Sequence, residues 1–163
     1  MKISESLILA IDTETTSPEP DDAEVVQIAA VYLLKGEMVG PPLQCLVNPG
    51  VPIPPETTEI HGISDDMVAD AVDDATLWPL LVSHFDGSYA ARAFAADGVP
   101  DQPLIIAGYN HVDFDLPIIA RKITEVIGAG RFIQYAPNGI DIWHGMGETR
   151  RGVEATVIDP IIW

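Results

Sequence analysis

Cysteine is almost missing: Cys45 is the single one in 163 residues. A disulfide framework is therefore excluded, and a reducing cytoplasm is the expected compartment. Cys45 lies in the strand-like run Leu43-Gln44-Cys45-Leu46-Val47 and reads as a small apolar residue, not a nucleophile. Basic residues are also scarce, 8 against 25 acids, for a formal net charge of −17. Such a balance argues against a protein that coats nucleic acid with its own cations. It leaves open a protein that acts on nucleic acid, because clustered carboxylates can hold divalent cations that then meet phosphate. The acid pairs Asp21-Asp22, Asp65-Asp66 and Asp73-Asp74 read as solvated surface. No run of about 18 apolar residues exists, so no membrane-spanning helix is expected. The apolar stretch Leu7 to Ile11 is too short for the core of a signal peptide.

What is present suits one α/β domain over residues 1–163, since 47% of the residues are hydrophobic. Ser6 to Ile11 reads as a buried strand that stops at Asp12, and Val25 to Leu34 as a second strand. After the tight Lys35-Gly36-Glu37 connection, Met38 to Val47 reads as a third. Short connections imply antiparallel pairing among these three. The proline-rich Pro52 to Pro55 reads as an extended loop, and Ser64 as the N-cap of a helix with Asp65 and Asp66 in its first turn. Thr76 to Phe85 has the apolar spacing of a helix, and a short helix is expected around Tyr89 to Ala96. Leu104 to Gly108 reads as a short buried strand and Phe114 to Ile127 as a helix, with Pro117 tolerated near its first turn. Gly128 to Glu154 reads as loop, with a turn at Pro137-Asn138-Gly139, and Thr156 to Asp159 as the last strand. The expected architecture is a mixed five-stranded sheet flanked by helices, with three antiparallel N-terminal strands followed by parallel ones.

Two acidic motifs follow directly on strands. In Asp12-Thr13-Glu14 the two acids are two residues apart, so in an extended chain both carboxylates point to one face and can approach one ion. Mg²⁺ favours one or two carboxylates together with water and substrate phosphate. The second motif, Gly108 to Pro117, places Asp115 near the start of a helix, where the backbone dipole favours an anion. Two strand ends that both carry acids can meet at the carboxyl edge of a sheet, the usual place for a site in open α/β folds. Taken singly, Asp115 reads as a helix-start acid and Asn110 as a turn residue.

Ile11 to Thr16 resembles the first motif of the DEDD 3′–5′ exonucleases, a superfamily with a ribonuclease H-like fold that includes the DnaQ-like proofreading epsilon subunits of bacterial replicative polymerases. Val25 to Val31 resembles that family's second strand, and Ile60-His61-Gly62-Ile63-Ser64 the segment before its first helix. Tyr109-Asn110 with Phe114-Asp115 resembles the second motif in a longer-spaced form, and Val157-Ile158-Asp159-Pro160 the strand that comes next. The resemblance implies hydrolysis of terminal phosphodiester bonds by a two-metal mechanism, with Mg²⁺ or Mn²⁺ held by Asp12, Glu14 and Asp115. It implies Thr15, His61, Ile63 and Asn110 as residues around the terminal nucleotide, Asn110 mainly by shaping its motif. It further implies a single-stranded DNA or RNA 3′ end as substrate, DNA ahead of RNA, a role in proofreading or repair, a DNA polymerase as a partner, and no membrane.

Two departures stand out. Ser17 occupies a position where the family usually has glycine. The family's third motif, a His or Tyr general base with a fourth carboxylate after the strand at Asp159, has no counterpart in Pro160 to Trp163. The pair His144 and Glu148 has faintly similar spacing but reads as loop, and Trp143 reads as a packing residue. The expectations are therefore a domain incomplete at its C-terminus, impaired in isolation, or a catalytically inactive exonuclease-fold interaction module.

Overall fold

A computed structural model describes residues 7–83, 105–128 and 140–141. Strand β1 (Leu7–Thr15) is central. It pairs antiparallel with β2 (Val25–Leu34) on one side and parallel with β5 (Ile105–Gly108) on the other. Two short strands, β3 (Glu37–Met38) and β4 (Leu43–Leu46), both pair antiparallel with β2 along its outer edge. On the far side of β5 lies β6 (Ile140–Asp141), parallel to it. The sheet order is β3-β2-β1-β5-β6 with β4 beside β2, the mixed sheet that the sequence implies.

The helices are α1 (Pro55–His61), α2 (Asp65–Val68), α3 (Asp74–Ser83) and α4 (Asp115–Ile127). Leu7, Leu9 and Ile11 are buried at alternate positions of β1, as one face of a strand requires. They join Trp78 and Leu81 of α3 and Ile118, Ile119 and Ile123 of α4 in the main core. The spacing 118, 119, 123 lies on one face of a helix, so α4 buries its apolar stripe in that core. Val26, Ile53, Ile63 and Val68 form a second, smaller cluster beneath α1 and α2.

Three expectations are corrected. The third strand is split, because Gly40-Pro41-Pro42 interrupts it and proline has no N–H to give to a ladder. A helix, α1, starts within the expected proline-rich loop: Pro55 stands in its first turn, where its missing N–H costs nothing. Gly62 ends that helix in the left-handed conformation (φ 77°), its N–H bonded to the Thr58 carbonyl at 2.8 Å. The strand beside β5 is Ile140–Asp141, inside the segment read as loop. The open edge of β5 can pair with an extended segment, and this one directly follows Asn138-Gly139 in the sequence. His144 and Glu148 therefore follow a sheet strand in the chain. The expected helix at Tyr89 to Ala96, the turn at Pro137 to Gly139, Trp143, His144, Glu148 and the strand at Thr156 to Asp159 lie outside the described residues, as does the C-terminal Ile161 to Trp163.

Candidate active site

The alternation of β1 sets out the first motif. Asp12 is exposed and Glu14 half-buried, on the face opposite the core, while Thr13 and Thr15 turn inward. Across the antiparallel ladder Asp12 stands opposite Ala29 and Glu14 opposite Gln27, so no cation neutralises either acid from β2. The ladder shifts register between Glu14 and Thr15, where the strand ends.

Strand β5 delivers the second motif to the same edge. Its parallel register places Ala107 beside Ala10, so the chain leaves the sheet at the level where Asp12 begins the acidic pair. Gly108 fits because it lacks a side chain: a Cβ there would lie 2.7 Å from the Ile11 carbonyl oxygen and 2.8 Å from His111 Cβ. Asn110 then adopts a left-handed conformation (φ 52°), which asparagine tolerates better than most residues. Its carbonyl accepts the N–H groups of Asp113 (3.2 Å) and Phe114 (3.0 Å), and the His111 carbonyl accepts that of Leu116 (2.7 Å). This turn sets Asp115 as the first residue of α4, 2% exposed. There the Thr13 hydroxyl donates to Asp115 Oδ1 at 2.6 Å.

The electrostatics tie the three acids together. Although the Asp12 side chain keeps access to solvent, desolvation by the surrounding chain raises its carboxyl above the ordinary value. Glu14 is raised first by burial and then by the charge of Asp12, against which His61 pulls down. Asp115 is pushed up to about 6, chiefly by burial and further by Asp12, although the Thr13 hydroxyl opposes the rise. The field of Asp12 thus reaches both other acids. A ready-made cage of three acidic, histidine or cysteine ligands does not occur among the described residues. Along β1, Thr13 lies on the core face and bonds Asp115, while Asp12 and Glu14 face outward.

The remaining expected residues are placed as follows. The Nδ1 of His61 accepts the Ile63 N–H at 3.0 Å, so the neutral ring carries its proton on Nε2, which is buried and meets no hydrogen-bond partner. The Ile63 side chain is buried in the smaller cluster, and it is its backbone N–H that meets His61. The hydroxyl of Thr15 donates to the Ser17 carbonyl at 2.8 Å, so it holds the turn after β1. Ser17 itself caps that turn, its Oγ accepting the Glu19 N–H at 3.1 Å. The side chain of Cys45 is half-buried and its thiol is pushed up by burial, consistent with an inert residue. Sequence reasoning missed Thr13. The one signal for it was its place between the two acids, where any inward-facing residue would have fitted.

A family model described as exonuclease, of the RNase T type, matches residues 9–90, half of the chain. The chain belongs to this exonuclease family. With its DnaQ-like motifs the exonuclease chain is of the DEDD 3′–5′ type, a divalent-metal-dependent family. It is 49% identical over 65 residues to a DNA polymerase III subunit epsilon-like protein of Rhodobacter capsulatus, covering 39% of this chain and 9% of that protein. It is 35% identical over 142 residues to the PolC-type DNA polymerase III of Streptococcus pneumoniae, covering 86% of this chain and 9% of that one. Among solved structures it resembles exonuclease I in complex with the inhibitor BCBP, with a TM-score of 0.68 at 20% identity, over 87% of this chain and 29% of the other. Escherichia coli exonuclease I in complex with a dT13 oligonucleotide gives the same TM-score at 19% identity. These two likenesses show the fold, the ribonuclease H-like sheet with flanking helices. The exonuclease chain spans about a tenth of the length of both curated relatives. Its donor set fits the family's metals: carboxylate oxygens are hard ligands suited to Mg²⁺ or Mn²⁺, and the charge of Asp12 raises both Glu14 and Asp115, which a cation would relieve.

Proposed function

We propose that the chain carries a metal-dependent 3′–5′ exonuclease site that hydrolyses terminal phosphodiester bonds of single-stranded DNA. The observation that carries this reading is the reach of Asp12, whose charge acts on both Glu14 and Asp115 at one edge of the sheet. Asp12, Glu14 and Asp115 would hold Mg²⁺ or Mn²⁺, two ions in the family's scheme. Bound there, the ions supply activation of water and stabilisation of the leaving 3′ oxygen. The charge of Asp12 acts on both of the other acids. Glu14 lies beside it on the open face, and Asp115 brings a third anion from the start of α4. His61 borders Glu14, and its Nε2–H gives a donor for the terminal nucleotide. Ile63 sets the height of that ring, Asn110 shapes the second motif, and Thr15 fixes the turn that follows the first.

The preference for DNA and the association with a polymerase are inferred from the epsilon-like and PolC-type relatives and from the oligonucleotide-bound structural neighbour. We place the protein in a reducing cytoplasm, in keeping with its lone thiol; among the described residues no helix is long and apolar enough to cross a membrane. The test is a gel assay on a 5′-labelled single strand with Mn²⁺, run with the chain, Asp12→Ala and Asp115→Ala. A ladder shortening from the 3′ end, lost in both variants and faster on DNA than on RNA, is expected. Cleavage that is indifferent to Asp12 would sink the assignment.

A second reading, a catalytically inactive exonuclease-fold module that binds a partner such as a polymerase, draws on the lack of a ready-made three-ligand cage among the described residues. Its mark would be absence of Mn²⁺ binding in a folded chain.

A further inference from the structure

The acid of the second motif is gripped by the middle residue of the first. The Thr13 hydroxyl lies 2.6 Å from Asp115 Oδ1, across 102 residues of chain, with both residues buried. An ionised carboxylate has no proton to give, so the hydroxyl is the donor, and the distance falls in the range of charge-assisted O–H···O⁻ bonds. The backbone amides of Thr13 and Asp115 also favour the ionised form of this carboxylate. The neighbouring residues, Asp12 and Glu14, have their side chains on the opposite face of β1, so neither can take its place.

We infer that Thr13 is a positioning residue: its hydroxyl fixes one oxygen of Asp115 and leaves the other available to a divalent cation shared with Asp12. This rests on the exonuclease-site reading above and extends it to a residue that touches neither ion nor substrate. A β-branched side chain in a strand has few χ1 states, so the hydroxyl is itself held in one direction. A short acid at a helix start otherwise has free rotation about its side-chain bonds. Fixing one oxygen removes that freedom before a ligand arrives, as outer groups do for first ligands at metal sites generally.

The experiment compares the full chain with Thr13→Val, Thr13→Ser and Asp12→Ala. Mn²⁺ affinity is read from the loss of the free-ion electron paramagnetic resonance signal and from the shift in melting temperature. The unaltered chain binds Mn²⁺ and Asp12→Ala does not; if both bind alike, or neither binds, the site reading itself fails and this inference with it. Given that first result, Thr13→Val should weaken Mn²⁺ binding by about tenfold, the lower end of the range for loss of an outer-shell partner. Thr13→Ser should restore affinity to near the original value, which a purely space-filling role would not predict, since serine lacks the methyl group. Unchanged affinity in Thr13→Val would overturn the inference, and so would tighter binding, which would mean that Thr13 holds Asp115 away from the ion. Should the valine variant not fold, Thr13→Ala takes its place in the same comparison, with the same outcomes.

Discussion

The ammonium of Lys122, on α4, bonds the Asp74 carboxylate of α3 at 2.8 Å and also contacts Glu24 in the segment before β2. Lys122 is almost fully buried, at a position of α4 that the core would fill with an apolar residue. Burial pushes its ammonium down, but the hydrogen bonds and charges of Asp74 and Glu24 outweigh that, and the net shift is upward. Asp74 is also bonded by the Trp78 indole N–H at 2.8 Å, and Arg121 adds a contact to Glu24 at 3.3 Å. One lysine therefore joins α3, α4 and the entry to β2. Replacing it with methionine keeps the stem but leaves two half-buried carboxylates facing each other. A loss of about 2–3 kcal/mol is expected, below the figure for fully buried pairs because the acids are partly solvated. Urea unfolding at pH 7.5 checks it, and a loss under about 0.5 kcal/mol would show the cluster to be surface decoration. Because the folded value is raised, the contribution is fully present below the lysine's ordinary pKa and disappears only as pH climbs through the higher folded one.

Gly108→Ala should be costly although the change is a single methyl. The added carbon would lie 2.7 Å from the Ile11 carbonyl and 2.8 Å from His111 Cβ, and neither backbone nor a Cβ can swing aside. Expected destabilisation is about 2 kcal/mol, within the usual range for overpacking. Because β5 would be pushed from β1, Mn²⁺ binding should weaken as well. Both are read by comparing melting curves with and without Mn²⁺.

Much of this arrangement is legible from the chain. Asp12 and Glu14 were placed by the two-residue period of a strand, and Asp115 by the helix that opens behind it. The family resemblance then joined what periodicity could not. Other features are not legible, for definite reasons. The bond from Thr13 to Asp115 spans 102 residues, and no local rule joins positions so far apart. Helix α1 hides behind Pro54-Pro55, which reads as loop unless the second proline is recognised as a first-turn residue. Strand β6 has only two residues, too few for any period. Lys122 could have been noticed, since it stands between Ile119 and Ile123 on the apolar stripe of α4. A charge in that place predicts buried partners, though not which ones.

Gly62→Ala tests the connection from α1 to the site. The residue sits at φ 77°, where nothing crowds a Cβ but an L side chain is strained. About 1 kcal/mol is the expected cost, since only backbone strain is at stake. The His61 ring is fixed through the very next N–H, that of Ile63, so its orientation toward Glu14 should loosen. The histidine Nδ1 and Nε2 shifts, measured by NMR, should then show a mixture of tautomers in place of one. A single unchanged tautomer would mean that the ring is held by its surroundings and not by this turn.

The acid side of the stability profile follows from Asp115. Its carboxyl is pushed up to about 6 from its ordinary value of 3.8, mainly by burial. Between those values the folded chain binds more protons than the unfolded one. Stability therefore falls as pH rises from about 4 to about 6, and the penalty stays in place above that. At 1.36 kcal/mol per unit the cost reaches at most about 3 kcal/mol at neutral pH. Asp12 and Glu14 are raised too and add to the same trend. Asp115→Asn removes the buried charge but keeps a carbonyl oxygen for the Thr13 hydroxyl. Without metal, the variant should match the parent near pH 4 and exceed it at pH 7.5, by up to about 3 kcal/mol, the size of the parent's own penalty. With Mn²⁺ the order should reverse at pH 7.5, because the parent regains through the ion what it loses to repulsion, and the variant has one anion fewer. The parent's Mn²⁺ affinity should climb as pH passes through about 6, where the ion no longer competes with the Asp115 proton. Chemical unfolding at four pH values, with EDTA or with Mn²⁺, reads all three effects. Parallel profiles for parent and variant in EDTA would show that the Asp115 charge is solvated in the folded chain, and that burial does not set its acidity.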